Sequence, residues 1–207
     1  NLKEGIPTPS FGSVQPGDVK YSDLDNNGVV DQNDITQIGK SVYPEWYYSF
    51  GGKIGFKGFD LEVLFQGAAG ASVNLLDNWN QTVAFVNNGN AYEIAKGAWA
   101  YYPTEGIDTR ATARYPRLTT QSNENNYQTS SMWIKSADYL KLRNLELGYN
   151  FNTIKLQKAG IENLRIYLSG HNLATFSGLL KHYNLDPERI SGYPTVRSYN
   201  VGVSITF

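Results

Sequence analysis

The sequence lacks cysteine and long apolar runs, and it has two histidines and one methionine among 207 residues. Without cysteine, the chain cannot form disulfide bonds, cysteine-ligated zinc or a thiol nucleophile. Without an apolar run of about 20 residues, it cannot form a transmembrane helix. No Ser-His-Asp order or nucleophile elbow is present either. We therefore expect a protein that is not an enzyme.

Charge is scarce as well. Charged residues make up 18% of the chain, below the roughly 25% of ordinary soluble domains. The 18 basic and 19 acidic residues leave a net charge of −1, which supports neither a nucleic-acid footprint nor a polybasic membrane patch. We therefore expect no nucleic-acid partner. Because the chain begins at Asn1 without an initiator methionine or a signal peptide, we expect a mature segment or a fragment.

Residues 21–34, YSDLDNNGVVDQND, have the spacing of an EF-hand calcium loop. Such a loop places oxygen atoms at alternate positions of a curling backbone, so that six or more converge on one cation. Gly28 occupies the tight-turn position, and Val30 occupies the apolar position that fixes the loop to a core. The predicted metal ligands are Asp23, Asp25, Asn27, the main-chain carbonyl of Val29, Asp31 and Asp34.

The expected ion is Ca2+, with Mg2+ as a lesser possibility. Asp34 stands where high-affinity loops have glutamate, and its shorter side chain predicts weaker binding. The helix that leads into an EF-hand loop is missing, because Pro16 and Gly17 stand in its place. The alternative is an Asx-rich turn without an ion, since aspartate, asparagine and glycine favour turns in any case.

Five stretches of the chain alternate apolar and polar residues with the period of a β-strand. They are residues 46–56, 59–67, 139–151, 163–173 and 199–207. In the last stretch, apolar residues occupy every odd position from Tyr199 to Phe207. The alternation in the third stretch changes phase half-way, which predicts a bulge near Arg143. The stretches have about the 9 to 11 residues that cross a bilayer when tilted.

The connections between these stretches alternate in length. Residues 57–58 and 152–162 are short connections, whereas 68–138 and 174–195 are long ones. In an antiparallel sheet this order places both long connections at one end, as in bacterial outer-membrane barrels. A soluble sandwich has no reason to sort its loops in this way. We therefore predict an all-β fold, the C-terminal portion of an antiparallel transmembrane β-barrel with about five strands and long extracellular loops.

The predicted organisation has two parts. Residues 1–45 form an extracellular loop that carries the calcium loop 23–34, and residues 46–207 form the last strands of the barrel. Polar residues of the strands, among them Asp60 and Glu62, would line a wet lumen. Lumen lining explains these two carboxylates without glycosidase chemistry. The aromatic residues at strand ends, which would form girdles at the membrane surfaces, include Trp46, Tyr149 and Phe207.

Five blocks of the sequence carry a family resemblance. In order they are GDVKYSDLDNNGVVDQNDITQIGKSVYPEWYYSFGGKIGFKGFDLEVLFQGAAG, ARYPRL, SADYLKLRNLELGYNF, LRIYLSGHNLATFSG and SYNVGVSITF. Together they resemble the C-terminal part of the SusC/RagA family of TonB-dependent outer-membrane transporters. The resemblance implies a barrel of about 22 strands around a plug, located in the bacterial outer membrane. It also implies that a loop like residues 23–34 lies on the extracellular side, just before a barrel strand.

The function that the resemblance implies is import of oligomeric nutrients, glycans or peptides. The implied partners are a SusD-like surface lipoprotein, TonB acting through an N-terminal part beyond this chain, and the lipid of the outer membrane. Phe207 would be the signal by which the assembly machinery takes up the barrel. A soluble calcium-dependent adhesion or dockerin-like module remains the alternative, because it would also explain the acidic loop.

Aromatic side chains of the loops and the two histidines are further candidates for function. The loop aromatics that could stack on sugar or peptide groups are Trp79, Trp99, Tyr101 and Tyr102. Packing of a long loop on itself would explain them equally well, and we favour that interpretation. His171, at the end of a predicted strand, and His182 have no partner at metal spacing, so we expect both to be structural.

Overall fold

The computed structural model describes residues 5–78, 82–151, 154–158 and 160–207. The chain divides into two compact units. The loop unit comprises Asn1–Lys40 and Val73–Lys135, and the sheet unit comprises Ser41–Ser72 and Ser136–Phe207. Among the described residues, no helix is long and apolar enough to cross a membrane.

Short elements outnumber long ones along the chain. The strands are β1 (Thr8–Pro9), β2 (Val29–Val30), β3 (Trp46–Phe56), β4 (Phe59–Ala69), β5 (Ser72–Asn74), β6 (Tyr101–Tyr102), β7 (Ile107–Asp108), β8 (Ile134–Ser136), β9 (Tyr139–Phe151), β10 (Asn163–Ser177) and β11 (Ser198–Thr206). The helices are α1 (Ile154–Lys158) and α2 (Gly178–Tyr183), and single 3-10 turns cover Gln32–Asp34, Leu75–Asn78, Val86–Asn88, Glu93–Gly97 and Pro103–Glu105.

The sheet unit contains the five long strands in the order β11-β10-β9-β4-β3. All neighbours are antiparallel, so the five predicted strands form one antiparallel sheet in sequence order. Lys57 and Gly58 alone connect β3 to β4, with φ angles of 49° and 88°. Two consecutive residues with positive φ are typical of the type I′ turn, whose twist matches that of a hairpin. The two long connections therefore leave the same end of the sheet.

Two irregularities interrupt the register of the sheet. In the β4–β9 pair, Leu64 lies opposite Asn144 and Phe65 lies opposite Leu142. Arg143 is therefore the extra residue of a bulge, which confirms the predicted position. The register of the β9–β10 pair shifts between His171 and Ala174, and this irregularity was not predicted.

The strand β10 is longer than the sequence pattern indicated. It continues through Ser177, so the second long connection begins at residue 178 rather than at 174. His171 consequently lies inside β10 and not at its end. The register shifts near Asn172, which has a φ of 54°. The apolar–polar alternation stops at this shift and resumes with the opposite phase, so the sequence pattern does not show that the strand continues.

Most apolar residues of the five strands lie on one face of the sheet, and Leu64 is an exception. One row crosses the whole sheet through directly paired residues, namely Ile54, Leu61, Leu147, Leu168 and Val201. The members of this row are 40% to 75% exposed. A half-buried sheet of a soluble protein covers its apolar face with another layer, and this sheet has no such layer among the described residues. The exposed face is the most unusual feature of the sheet unit.

The length of the apolar face matches that of a membrane-spanning band. Trp46 and Phe56 lie at the two ends of β3, ten residues apart. At about 3.4 Å per residue and a tilt of about 40°, ten steps rise about 26 Å. The apolar band of outer-membrane barrels is about 25 Å tall. Aromatic residues lie at or beside both ends of β3 and β11, as expected for the predicted girdles, whereas Tyr139 at the start of β9 is buried and binds Glu188.

The loop unit has its own polar and aromatic core. The carboxylate of Asp18, whose side chain is 1% exposed, accepts hydrogen bonds from Arg117 Nε at 2.7 Å and Asn126 Nδ2 at 2.9 Å. Trp133 is buried between Tyr115 and Tyr127 and donates its Nε1 hydrogen to the Asn126 carbonyl at 2.8 Å. The predicted loops 1–45 and 68–138 therefore share most of their residues in one compact unit.

Candidate functional site

The acidic loop brings three of the predicted ligands together. One carboxylate oxygen from each of Asp23, Asp25 and Asp34 lies within 4.8 Å of the other two. Two ligands on opposite sides of a calcium ion, each at about 2.4 Å, are about 4.8 Å apart. The three carboxylates are therefore close enough to share one hard divalent cation.

Main-chain N–H groups hold two of these carboxylates in place. Asp23 Oδ2 accepts the Gly28 N–H at 2.7 Å, and Gly28 has the positive φ of 86° that the tight turn requires. Asp34 accepts the N–H of Leu24 at 2.5 Å and that of Asp31 at 2.8 Å. Val30 is buried, as predicted for the apolar position, and it pairs with β1.

The other three predicted ligands have different contacts in the loop. Asn27 Oδ1 accepts the N–H of Val29 at 2.7 Å. Asp31 accepts the Asn33 N–H at 2.7 Å and so forms the N-cap of the 3-10 turn Gln32–Asp34. The N–H groups of residues 8 and 10 donate to the carbonyls of residues 28 and 30. The Val29 carbonyl takes no part in this strand pairing. Of the four predicted carboxylate ligands, the described structure therefore brings three together, and Asp31 lies outside that group.

The carboxylates of the loop differ in their electrostatic environment. Burial and the neighbouring carboxylates of Asp23 and Asp34 raise the pKa of Asp25, although the Asn27 N–H opposes this shift. The N–H groups of Asp31 and Leu24 lower the pKa of Asp34. A cation between them would remove the repulsion at Asp25 and would favour the ionised form of all three groups.

On the polar face of the sheet, near the β3–β4 turn, one arginine joins three strands. The Arg165 guanidinium binds Asp60 through Nη2 at 2.5 Å and Nε at 3.0 Å, and it binds Glu146 at 2.7 Å. Asn150 also donates to Asp60, at 2.8 Å. Asp60 is thus a buried ion-pair partner, and Glu62 lies 3.8 Å from Lys53. Neither carboxylate is arranged as a glycosidase acid or base.

At the other end of the polar face, a buried lysine binds the second long connection. Lys141 Nζ, on a side chain that is 1% exposed, lies 2.9 Å from Asp186 Oδ1 and 2.6 Å from Glu188 Oε2. Arg143 also binds Glu188, and it reaches Asn172 at 2.7 Å. Residues 184–197 are therefore held against the polar face of the sheet. We did not predict this contact from the sequence. The signal that could have indicated it is the pair of cations, Lys141 and Arg143, that project from β9 toward acidic partners.

The two acids of the connection 184–197, Asp186 and Glu188, are strongly stabilised in their charged form. Burial acts to raise the pKa of Asp186, but hydrogen bonds from Thr195 and Lys141 outweigh it and lower the pKa to about 2. The pKa of Glu188 is lowered in the same way, mainly by Arg143 and Lys141. A depressed carboxylate pKa adds stability above the unfolded value. For Asp186, this stability is lost only as the pH falls through about 2.

Of the four candidate loop aromatics, some pack against neighbouring residues and one is exposed. Trp99 packs against Gly17, where a Cβ atom would lie 2.4 Å from the indole ring. Tyr101 lies under the Arg110 guanidinium, 3.8 Å from its carbon. Tyr102 is exposed, and Trp79 lies outside the described residues. Packing within the loop therefore explains two of the four.

The two histidines are separate from the acidic group. His171 lies in β10 opposite Asn144 and Ser198. His182 is in the last turn of α2, and its ring is nearly perpendicular to that of Tyr183. In the described part of the chain, neither belongs to a group that could hold a metal ion.

Comparisons with known proteins agree with this fold. The chain matches no family model. It is 28% identical to TonB-dependent receptor P3 of Formosa agariphila, over 100% of this chain and 20% of the relative. It is 25% identical to TonB-dependent receptor P26 of the same organism, over 92% of this chain and 20% of the relative.

This chain is homologous to TonB-dependent receptors. Among solved structures it resembles the RagAB peptide transporter, with a TM-score of 0.64 and 25% identity over 93% of this chain and 20% of that chain. The RagAB peptide importer in the open-open state gives 0.61 at 22% identity, over 95% of this chain and 20% of that chain. The resemblance to the SusC/RagA family is confirmed.

This chain spans about a fifth of the length of the relatives it matches. These relatives are receptors and transporters of the outer membrane and not enzymes. The dockerin-like alternative is not favoured, because relatives and fold both point to a transporter. The expectation of a non-enzyme is consistent with the same relatives.

We expect Lys141→Met to release the connection 184–197 from the sheet, because two carboxylates would then lose their buried cation. Removing one partner of a buried pair costs about 3 to 5 kcal/mol. In the intact protein, trypsin should cleave after Arg189 or Arg197 faster in this variant than in the wild type. Lys53→Met is the matched control, since Lys53 is 59% exposed and lies 3.8 to 4.0 Å from its acids. Equal cleavage of both variants would contradict the prediction.

Proposed function

We propose that this chain is the C-terminal barrel segment of a TonB-dependent outer-membrane transporter that imports oligomeric nutrients. The observation that carries the proposal is the exposed apolar face of the five-stranded sheet. Its rows run in register across every strand, and ion pairs cover the opposite face. In a membrane the first face would meet lipid and the second would line the lumen.

The edges of the sheet support a larger barrel. In the described residues, β3 and β11 each pair with one long neighbour only. Unpaired N–H and C=O groups in a bilayer cost several kcal/mol each, so both edges need partner strands. The relatives are about five times longer than this chain, and their remaining length is where such strands would come from.

The sorted connections support an orientation. The longer connections, between β4 and β9 and between β10 and β11, leave one end of the sheet. Outer-membrane barrels have their long loops outside and their short turns in the periplasm. Residues 1–45 and both long connections are then extracellular, and β11 runs toward the periplasm and ends at Phe207.

The substrate class and partners follow from the relatives. The similar RagAB structures are named as a peptide importer, which favours peptides over glycans as the cargo. A SusD-like lipoprotein at the extracellular side and TonB acting through the remaining chain complete the proposal. Deleting the full-length gene should abolish growth on oligopeptides as the sole nitrogen source and leave growth on amino acids unchanged. Normal growth of the deletion strain on both would overturn the importer role for peptides.

The membrane orientation of the sheet can be tested at two neighbouring residues. Val201 is 75% exposed on the apolar face, whereas Asn200 lies on the polar face opposite Ser169. In the full-length protein, Val201→Arg should destabilise the barrel by about 2 to 4 kcal/mol if it lies near mid-bilayer. Asn200→Arg should have little effect. Heat-resistant barrel in isolated outer membranes measures both, and equal tolerance would show that this face does not meet lipid.

We also propose that the acidic loop binds one Ca2+ in a structural role. The support is the EF-hand spacing together with the convergence of Asp23, Asp25 and Asp34. These residues would hold the ion, and Asn27, the Val29 carbonyl and Asp31 would complete its coordination. The ion would neutralise the crowded carboxylates and stabilise residues 23–34. Mg2+ is the lesser candidate, because it demands a near-ideal octahedral site.

Calorimetry of the purified protein tests the calcium proposal. After treatment with a chelator, we expect one Ca2+ per chain to bind, and Asp25→Ala should weaken this binding by at least tenfold. Asp108→Ala is the control, because Asp108 is also an exposed acid and is paired with Arg110 at 2.7 Å. Absence of a binding signal in the wild type, or equal binding by both variants, would show that the loop is an Asx-rich turn.

A further inference from the structure

The position of β11 along its neighbour is not set by the features that set the other strands. A two-residue turn sets the pairing of β3 with β4, and the bulge at Arg143 sets that of β4 with β9. The pairing of β10 with β11, between residues 163–171 and 198–206, is described throughout and contains no bulge. The long connection 178–197 precedes β11. Neither a tight turn nor an irregularity therefore fixes the register of this last pair.

The hydrophobic pattern does not select the register of β11 either. Apolar residues occupy every odd position from Tyr199 to Phe207. Because side chains alternate with a period of two, a slip of two residues returns each apolar residue to the apolar face. Main-chain hydrogen bonds would form again after such a slip. A contact that is specific to one residue of β11 is needed to select one register.

Tyr167 of β10 and Gly202 of β11 make such a contact on the polar face, where they are directly paired. A Cβ atom at Gly202 would overlap the Tyr167 ring, so the ring occupies the space of a side chain. Gly202 is half-buried, whereas every other residue of β11 after Ser198 is exposed. It is also the single glycine of β11. A slip of two residues would place Asn200 or Ser204 under the ring, and each carries a Cβ atom.

Ion pairs keep the Tyr167 ring turned toward β11. The carbon of the Arg165 guanidinium lies 4.9 Å from the centre of this ring. Arg165 in turn donates to Asp60 through Nε at 3.0 Å and to Glu146 at 2.7 Å. Gly148, the partner of Tyr167 on β9, offers the ring no alternative place, because the Arg165 guanidinium occupies the space beside it. Turning the ring away from β11 would therefore break a cation–π contact with a fixed cation.

We propose that the contact between Tyr167 and Gly202 selects the register of β11 and so positions the strand at which the barrel closes. Among the registers that keep the apolar face intact, the observed one alone puts a glycine under the ring. In the proposed barrel, the free edge of β11 pairs with a strand from beyond this chain. A slip of two residues would move that edge by about 7 Å. This role in closure rests on the proposed function.

Cysteine cross-linking in the full-length protein reads the register directly. This chain has no cysteine, and any cysteine elsewhere in the protein is replaced first. The native pair is Ser169→Cys with Asn200→Cys, because these residues are directly opposed and their Cβ atoms are about 4.5 to 5.5 Å apart. The slipped pairs are His171→Cys with Asn200→Cys and Ser169→Cys with Ser198→Cys. Both are diagonal in the observed register, about 7 to 8 Å apart, and become opposed only after a slip of two residues.

The disulfides are counted by peptide mass spectrometry after oxidation of heat-resistant barrel from outer membranes. With Tyr167 and Gly202 unchanged, we expect the native pair alone to be joined. Tyr167→Ala removes the ring, so the slipped pairs should be joined as well. Tyr167→Phe keeps the ring and should again join the native pair alone.

Gly202→Val tests the other side of the contact. It should reduce joining of the native pair by about tenfold, the factor expected when a filled site is overpacked. Gly55→Val is the matched control, because Gly55 lies in the same row of the polar face and its Cβ atom would approach the Phe59 carbonyl only to 3.7 Å. Adding Tyr167→Ala to Gly202→Val should restore part of the native joining, since the two side chains compete for one space.

The outcomes separate this inference from the proposed function. If the wild type forms no heat-resistant barrel, the barrel proposal fails. If the barrel forms but Tyr167→Ala joins the native pair alone, or Gly202→Val joins it as well as Gly55→Val does, the register contact is overturned and the transporter proposal stands. If Gly202→Val alone forms no barrel, recovery of the barrel on adding Tyr167→Ala supports the contact, and failure to recover overturns it.

Discussion

The register of the sheet is the constraint on which the rest of the structure depends. A strand places successive side chains on opposite faces, so a slip of one residue between neighbours would exchange the faces of one strand. Across five strands, direct pairing keeps Ile54, Leu61, Leu147, Leu168 and Val201 in one row. One uninterrupted apolar surface results, and every charged group of the strands is confined to the other side.

Because charged residues lie on one face only, the ion pairs of the sheet unit form two groups on that face. Near the short turn, Arg165 joins β4, β9 and β10 through acids that would otherwise repel one another. Near the long connections, Lys141 and Arg143 neutralise acids that come from outside the strands. Buried charges are tolerated only when they are paired, so these pairs decide which loop residues lie against the polar face. The loop unit repeats the arrangement with Asp18 and Arg117.

The sequence predicted features that follow from local periodicity or spacing. Alternation located the five strands, and the phase change located the bulge at Arg143. Loop spacing predicted that acidic side chains converge, and Asp23, Asp25 and Asp34 lie close together. The sequence did not predict features that depend on contacts between residues far apart in the chain. The burial of Lys141 requires a partner 45 residues away, and that of Trp133 requires the loop unit to close around it. The extension of β10 through Ser177 was missed because the shift near Asn172 breaks the alternation on which strand prediction relies.

The two-residue connection at Lys57 and Gly58 has a consequence for how such a chain can evolve. A single inserted residue there would alter the hairpin geometry and shift lysine and glutamate side chains toward the apolar face. Insertions of any length between residues 178 and 197 leave the pairing of β10 with β11 unchanged, provided that the acids binding Lys141 are kept. Natural variation in length should therefore accumulate at one end of the sheet, so that new surface loops can arise on a framework whose strand pairing is preserved.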